Sequence, residues 1–485
     1  MSFAVLIYLS LGSCIATNLQ RTVYPIILEE RGSDASLVLQ IAEGLSLSLT
    51  KASVAAEKLR FRSYRDGNIV DEFVNGSELE ETLFEDRAKM ATVSLSKSIE
   101  GIRVTGLLSL TERIYPAAVE ERDYTGPIPH VVQQIETPSA AKKAVINERK
   151  DFSPRNCSDP TLPKNITVEL YVASDTRHNR RFGSEKDLFL YICIFLNSMN
   201  AVFMSIKCPN VRLALVGVEK SNKLAESSYV FGNEQMMNDV TSLTLFRTYA
   251  NKQREAYGNP DVVLLLTGRD VYESNGRRVN RNVLGIAYEG GICSTNFVAL
   301  TEDIAGSYSG IIDAAHELGH SLGASHDGSP PNDHIYRHPG SLTCSATTGY
   351  IMTYVDGGPR RYQFSECNKR EIRHVLRYRG ESCWAVNAHK IYSVQKVYPG
   401  RLLGPKQYCK LLYPSIKDVY SRTDDVRNSH CKLRCCAHIG HKGEVCAIQR
   451  MLDHMSCGYQ KMCFQGVCKN ETEILATSNV RGVKS

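Results

Sequence analysis

Residues His316 to Asp327 read HELGHSLGASHD, a run in which three histidines and a carboxylate stand at spacings suited to hydrolysis. His316 and His320 are i and i+4, so on a helix they lie one above the other on the same face. Two imidazoles so placed can share one Zn²⁺. Glu317 follows His316 directly, where its carboxylate can reach a water on that metal. Gly323 takes a positive φ at little cost, which ends the helix and turns the chain back. That turn can deliver His326 as a third ligand, leaving a fourth position for water, as a catalytic zinc needs. A bare HExxH string arises by chance as a solvated helix with two histidines. The extended HExxHxxGxxHD string fixes too many positions for that reading.

The elements that must hold these side chains begin at Thr167. Val168–Ala173, Val211–Val218, Asp261–Thr267, Leu284–Tyr288 and Asn296–Leu300 read as strands. Lys186–Met204, Asn233–Tyr257, Ser307–Leu322 and Glu366–Arg377 read as helices. Strands alternating with helices imply an α/β layer structure. Residues 17 to about 150 contain no cysteine and carry alternating runs such as Ala91–Leu95 and Ile102–Leu108, which suggest short strands. Pro127–Lys150 lacks apolar periodicity and reads as a linker, with the basic pair Arg149-Lys150 a candidate processing point. Beyond Asn387 helical periodicity is lost and the chain depends on cysteine.

At 485 residues the chain has room for roughly three domains. A net charge of +6 is small for that length and gives nucleic-acid binding no support. The start, MSFAVLIYLSLGSCIATNLQ, has an apolar run and small residues that suggest a signal peptide, residues 1–16, cut after Ala16. The run is too short to span a bilayer, and no later stretch reads as a membrane span. A secreted product is therefore expected. The 16 cysteines agree, since eight crowd between Cys409 and Cys468 as a disulfide scaffold would. Their spacings do not match a zinc finger. Sequons at Asn75, Asn156, Asn165 and Asn470 fit the same compartment.

Taken together, the zinc string resembles that of the metzincin proteases, and Asp327 directly after the third histidine is the mark of their reprolysin (adamalysin) branch. Met352 in Tyr350-Ile351-Met352 lies 26 residues after His326, as a Met-turn should. Leu284-Gly285-Ile286-Ala287 resembles the family's edge strand, and Phe364-Ser365-Glu366-Cys367 its FSxC signature. Thr92–Ser98, Gly101–Gly106 and Ile114-Tyr115-Pro116 resemble the reprolysin propeptide. Tyr398-Pro399-Gly400, Gln407-Tyr408-Cys409 and Cys463-Phe464-Gln465-Gly466-Val467-Cys468 are similar to the disintegrin-like and cysteine-rich parts of ADAMTS proteases. A short chain with these parts and no thrombospondin repeat most resembles the secreted salivary metalloproteases of ticks.

The resemblance implies an α/β metzincin catalytic domain: a mixed twisted sheet with helices, a zinc helix and a Met-turn. It implies a β-rich propeptide with linker over 17–160, the catalytic domain over 161–387, and a disulfide-rich small domain over 388–485. Zinc would sit on His316, His320 and His326. Calcium would sit on Glu169, Asp261 and the Cys383 carbonyl, with the family's asparagine out of register at Asn387. Cys293 would pair with Cys383, and Cys344 and Cys367 are further disulfide candidates. Gly285, Ile286 and Ala287 would pair with an extended substrate, and Asp327 would orient the site from behind the ligands.

Three departures stand out. Tyr350 replaces the family's cysteine before the Met-turn, Tyr354 makes a Met-x-Tyr pattern seen in other metzincins, and the propeptide lacks the usual cysteine switch. Cys157 is the candidate substitute. The six cysteines of the catalytic region (Cys193, Cys208, Cys293, Cys344, Cys367, Cys383) and the eight of the C-terminal region are even sets, so each can pair internally and leave Cys157 over. Its thiolate at the domain junction could fill the open position on zinc.

The expected function is a secreted zinc endopeptidase, made as a zymogen, with Glu317 as general base. Its partners would be extracellular matrix or plasma proteins, with an anti-haemostatic role at a host interface, and the chain is expected to be a monomer. The alternative is an extracellular binding protein that acts through its cysteine-rich domain, with catalysis secondary. Intact ligands and an intact Glu317 favour the enzyme.

Overall fold

In the computed structural model, residues 20–31, 36–118, 127–136, 142–143, 161–386 (except 275 and 277), 399–422, 430–438 and 440–477 (except 441, 442 and 465) are described. The signal segment, the Arg149-Lys150 pair, Asn156, Cys157 and Asn387 lie outside them.

The site rests on one seven-stranded sheet. Its strands are β1 (Ala55–Arg65), β2 (Asn68–Asn75), β3 (Asn165–Ser174), β4 (Asn210–Lys220), β5 (Val262–Thr267), β6 (Gly285–Ala287) and β7 (Val298–Glu302), in the order β6-β7-β5-β3-β4-β1-β2. The strands from β7 to β1 run parallel, and β6 and β2 are antiparallel edges. Every residue of β5, VVLLLT, is buried, as expected of a central parallel strand covered on both faces.

Three helices pack on this sheet, α1 (Glu185–Phe203), α2 (Asp239–Gln253) and α3 (Ile311–Ser321), and α4 (Glu366–Arg379) bonds the turn after α3 through Asn368 and Glu371. Ser184 caps α1 through the Asp187 N–H, and Ser365 with Asn368 forms a capping box on α4. By length and composition α1 is apolar enough to cross a membrane, which the sequence reading passed over. Here it lies against the sheet, and its residues from Leu188 to Met199 are nearly all buried.

Two expected helices are shorter than their periodicity suggests. Met236–Asn238 is a strand paired with Asp270–Tyr272, and Asn238 then caps α2. Tyr308 adopts φ 61°, so the zinc helix begins at Ile311 and not at Ser307.

Strands within residues 20–31, 36–51, 83–116 and 130–134 form a nine-stranded antiparallel sheet. The hairpin β1–β2 leaves that sheet and joins the other, so the N-terminal region shares the seven-stranded sheet. The C-terminal part holds short strands, helices at Pro405–Leu412 and Glu471–Thr477, and the disulfides Cys409–Cys435, Cys431–Cys463, Cys436–Cys446 and Cys457–Cys468. With a further helical turn at Pro399–Leu402, these helices are an addition to a segment whose sequence showed no helical period.

Candidate active site

On α3, His316 and His320 project from successive turns, and Glu317 packs on the neighbouring face. The helix stops at Ser321, Gly323 takes φ 100°, and a Cβ there would meet Val375 Cγ2 at 2.2 Å. Only glycine passes this turn. The chain then returns His326 to the other two imidazoles. His326 Nε2 lies 3.1 Å from His316 Nε2 and 3.3 Å from His320 Nε2.

Those separations fit a shared metal. Ligands at zinc–nitrogen distances of a tetrahedral site stand roughly 3.3 Å apart. The tautomers fit too. His316 Nδ1 donates to the Ile351 carbonyl at 2.7 Å and His320 Nδ1 to the Ala324 carbonyl at 2.7 Å. A carbonyl only accepts, so both Nε2 atoms keep their lone pairs for a cation. Burial, then the His326 charge, pushes His316 down to about 4, and burial holds His320 well below its ordinary value. Burial lowers His326 as well, so the three imidazoles are neutral ligands.

Glu317 is buried. Burial, then repulsion from Asp313, pushes its carboxyl well above the usual range. A dication held by the imidazoles would act in the opposite sense, drawing the group back toward a working base. Edge strand β6 runs over this carboxylate: a Cβ on Gly285 would meet Glu317 Cγ at 2.7 Å. Gly285, Ile286 and Ala287 pair with Thr301, Leu300 and Ala299, and no described strand pairs with their other edge. That edge is where an extended peptide can add.

Below the metal position Met352 is fully buried, and a Cβ on Gly319 would meet its Sδ at 2.9 Å. Gly319 is thus the notch in the zinc helix that admits the Met-turn. Tyr354 is 74% exposed, with its ring 4.9 Å from that of His326 and 6.3 Å from that of His316. It forms a wall of the cleft. The next two residues, Val355 and Asp356, pair in parallel with Lys142 and Lys143.

The loop carrying His326 is fixed from behind. Asp327 Oδ1 accepts from Ser365 Oγ at 2.6 Å, and the Asp327 N–H donates to the Met352 carbonyl. Burial pushes the Asp327 carboxyl up to about 7. The sequence reading missed Ser341, whose hydroxyl donates to the His326 carbonyl at 2.6 Å, and Asn368, whose Nδ2 donates to the Ser325 carbonyl. It also missed Glu371 and His338, which accept from Ser325 N–H and donate to the Gly323 carbonyl. These contacts span 15 to 46 residues of chain, so no local spacing announces them.

Away from the cleft, Glu169 and Asp261 are buried side by side, and Cys293 is bonded to Cys383 beside them. Burial raises Asp261 to about 8. Cys344 is bonded to Cys367. The even pairing expected within the catalytic region is corrected: Cys193 is a buried thiol inside α1, and Cys208 is disulfide-bonded. The parity argument that singled out Cys157 therefore falls. The sequons Asn75, Asn165 and Asn470 are exposed.

A family description, Metallo-peptidase family M12 (Reprolysin_5), matches residues 164–365, which hold β3 through the capping serine of α4. Residues 164–365 thus match a reprolysin-type metallopeptidase domain. Among relatives, a silkworm (Bombyx mori) protein named as like a disintegrin and metalloproteinase with thrombospondin motifs is 28% identical over 64% of this chain and 45% of its own length. A Tityus trivittatus venom metalloproteinase, antarease-like, is 28% identical over 67% of this chain and 79% of its own. The Tityus serrulatus venom metalloproteinase antarease is 27% identical over 72% and 86%. The chain thus spans less than half of the silkworm relative but most of each scorpion one.

Proposed function

We propose that the protein is a secreted endopeptidase, made as a zymogen, that cuts extracellular matrix or plasma proteins. One observation carries the hydrolytic part: His326 Nε2 lies within 3.3 Å of both His316 Nε2 and His320 Nε2, on the helix that carries Glu317 and under an open strand edge. Zinc, when bound there, supplies a Lewis acid for the scissile carbonyl and lowers the pKa of its water. The rest falls to side chains. β6 takes the peptide as an added strand along its open edge and sets the scissile bond over Glu317. Glu317 accepts the proton of the attacking water and returns it to the leaving amine nitrogen.

Secretion is supported by the six described disulfides and the exposed sequons. Latency is supported by Lys142–Lys143, whose backbone pairs with the cleft wall next to Tyr354. A calcium ion on Glu169, Asp261 and the Cys383 carbonyl would offset the burial that holds Asp261 up at about 8. We further propose a monomer, with an anti-haemostatic role at a host interface.

The test is digestion of plasma and matrix proteins by the processed protein, with cleaved peptides read by mass spectrometry. Cleavage should vanish with 1,10-phenanthroline and in Glu317→Gln. Biological activity that survives both would assign the effect to binding by the cysteine-rich part.

A further inference from the structure

The N-terminal region is placed where a removable covering would not be. Strand β1 pairs in parallel with β4 along Leu215, Gly217, Val218 and Glu219, inside the protease sheet. Its side chains fill the protease core: Leu59 and Phe61 are fully buried, and the Phe61 ring meets Phe189 of α1 edge-on at 4.9 Å. Arg62 is 2% exposed. Its guanidinium holds Asp71 with two bonds, donates to Gln253 of α2 at 2.7 Å and lies over the Tyr257 ring. Tyr64 donates to the fully buried Glu219 carboxylate at 3.0 Å and bonds Tyr249. On the other side of α1, Asn197 donates to Glu85 and Thr92 of the nine-stranded sheet.

Departure of this region would bare Phe189 and Val218, open the edge of β4 and strip one donor from a buried carboxylate. Each change is unfavourable by the same physics that built the core. We propose that residues 20–116 are a permanent part of the protease: after cleavage in the linker, the N-terminal fragment stays bound and shares the protease's unfolding transition. The inference rests on the zymogen reading only for the existence of a natural cut.

The experiment uses the full-length protein with a site for a sequence-specific protease inserted between Lys143 and Lys150. The chain is cut to completion and passed through gel filtration without denaturant. Both fragments should co-elute one to one at the mass of the uncut protein, and urea should unfold them at one midpoint. An N-terminal fragment that elutes apart overturns the proposal, whether the remainder stays soluble or precipitates. Two well-separated urea midpoints overturn it as well. Neither readout uses peptide hydrolysis, so failure of the proposed activity cannot be mistaken for failure of this inference.

Discussion

The Ser365 hydroxyl donates to Asp327 Oδ1 across 2.6 Å, tying the loop that carries the third imidazole to the N-cap of α4. Two sequence marks 38 residues apart are thus one device. Ser365 accepts from the first turn of α4 and donates its single proton to the carboxylate that follows His326. Asp327→Ala should leave the three imidazoles in place but unmoored. Zinc affinity is expected to fall roughly 10–100-fold, the usual effect of losing an orienting partner. Competition with a chromophoric chelator checks it, and an affinity within twofold of the parent would refute the role.

Glu317→Gln should retain zinc and fold while losing peptide hydrolysis by roughly 10² or more, because an amide cannot take the water's proton. Metal analysis and turnover on one preparation decide it. Activity within tenfold of the parent would remove Glu317 from its role.

Acid should release zinc late. Burial sets the His316 imidazole at about 4 and the His320 imidazole well below its ordinary value, so protons compete weakly for the ligand atoms. Three ordinary imidazoles would cost the site ~1,000-fold in affinity between pH 7 and pH 5.5. A depressed folded pKa moves that loss to lower pH, so the fall over this window should be far smaller. Zinc titrations at the two pH values test it, and a full ~1,000-fold drop would mean that the imidazoles titrate as free ones.

Much of this site was legible because its geometry is local. His316, Glu317, His320, Gly323 and His326 obey helix periodicity and one turn, and the resemblance added Met352 and the Gly285 strand. The rest depends on distant pairing. Nothing in Ala55–Arg65 says that it will join Asn210–Lys220, because a strand's partner leaves no mark on its own alternation. Cysteine parity failed for a related reason: a count cannot tell a buried thiol from a bridge, and Cys193 sits within the apolar core. Asn233–Tyr257 was overextended because Met236 and Met237 suit a helix face and a short strand equally well.

Gly285 offers the sharpest test of how strand and base fit together. A Cβ at this position would meet Glu317 Cγ at 2.7 Å and the Leu300 carbonyl at 2.9 Å. The carbonyl belongs to the paired strand and cannot retreat without breaking the ladder, so the displacement falls on the Glu317 side chain or on the edge strand. Either movement shifts the base relative to a peptide bound along that strand. Gly285→Ala should therefore keep zinc while lowering kcat/KM by roughly 10–100-fold, the scale on which ångström misplacement acts. Metal content measured on the same preparation controls for damage to the zinc site. A variant with parental kcat/KM would show that β6 does not place substrate over Glu317.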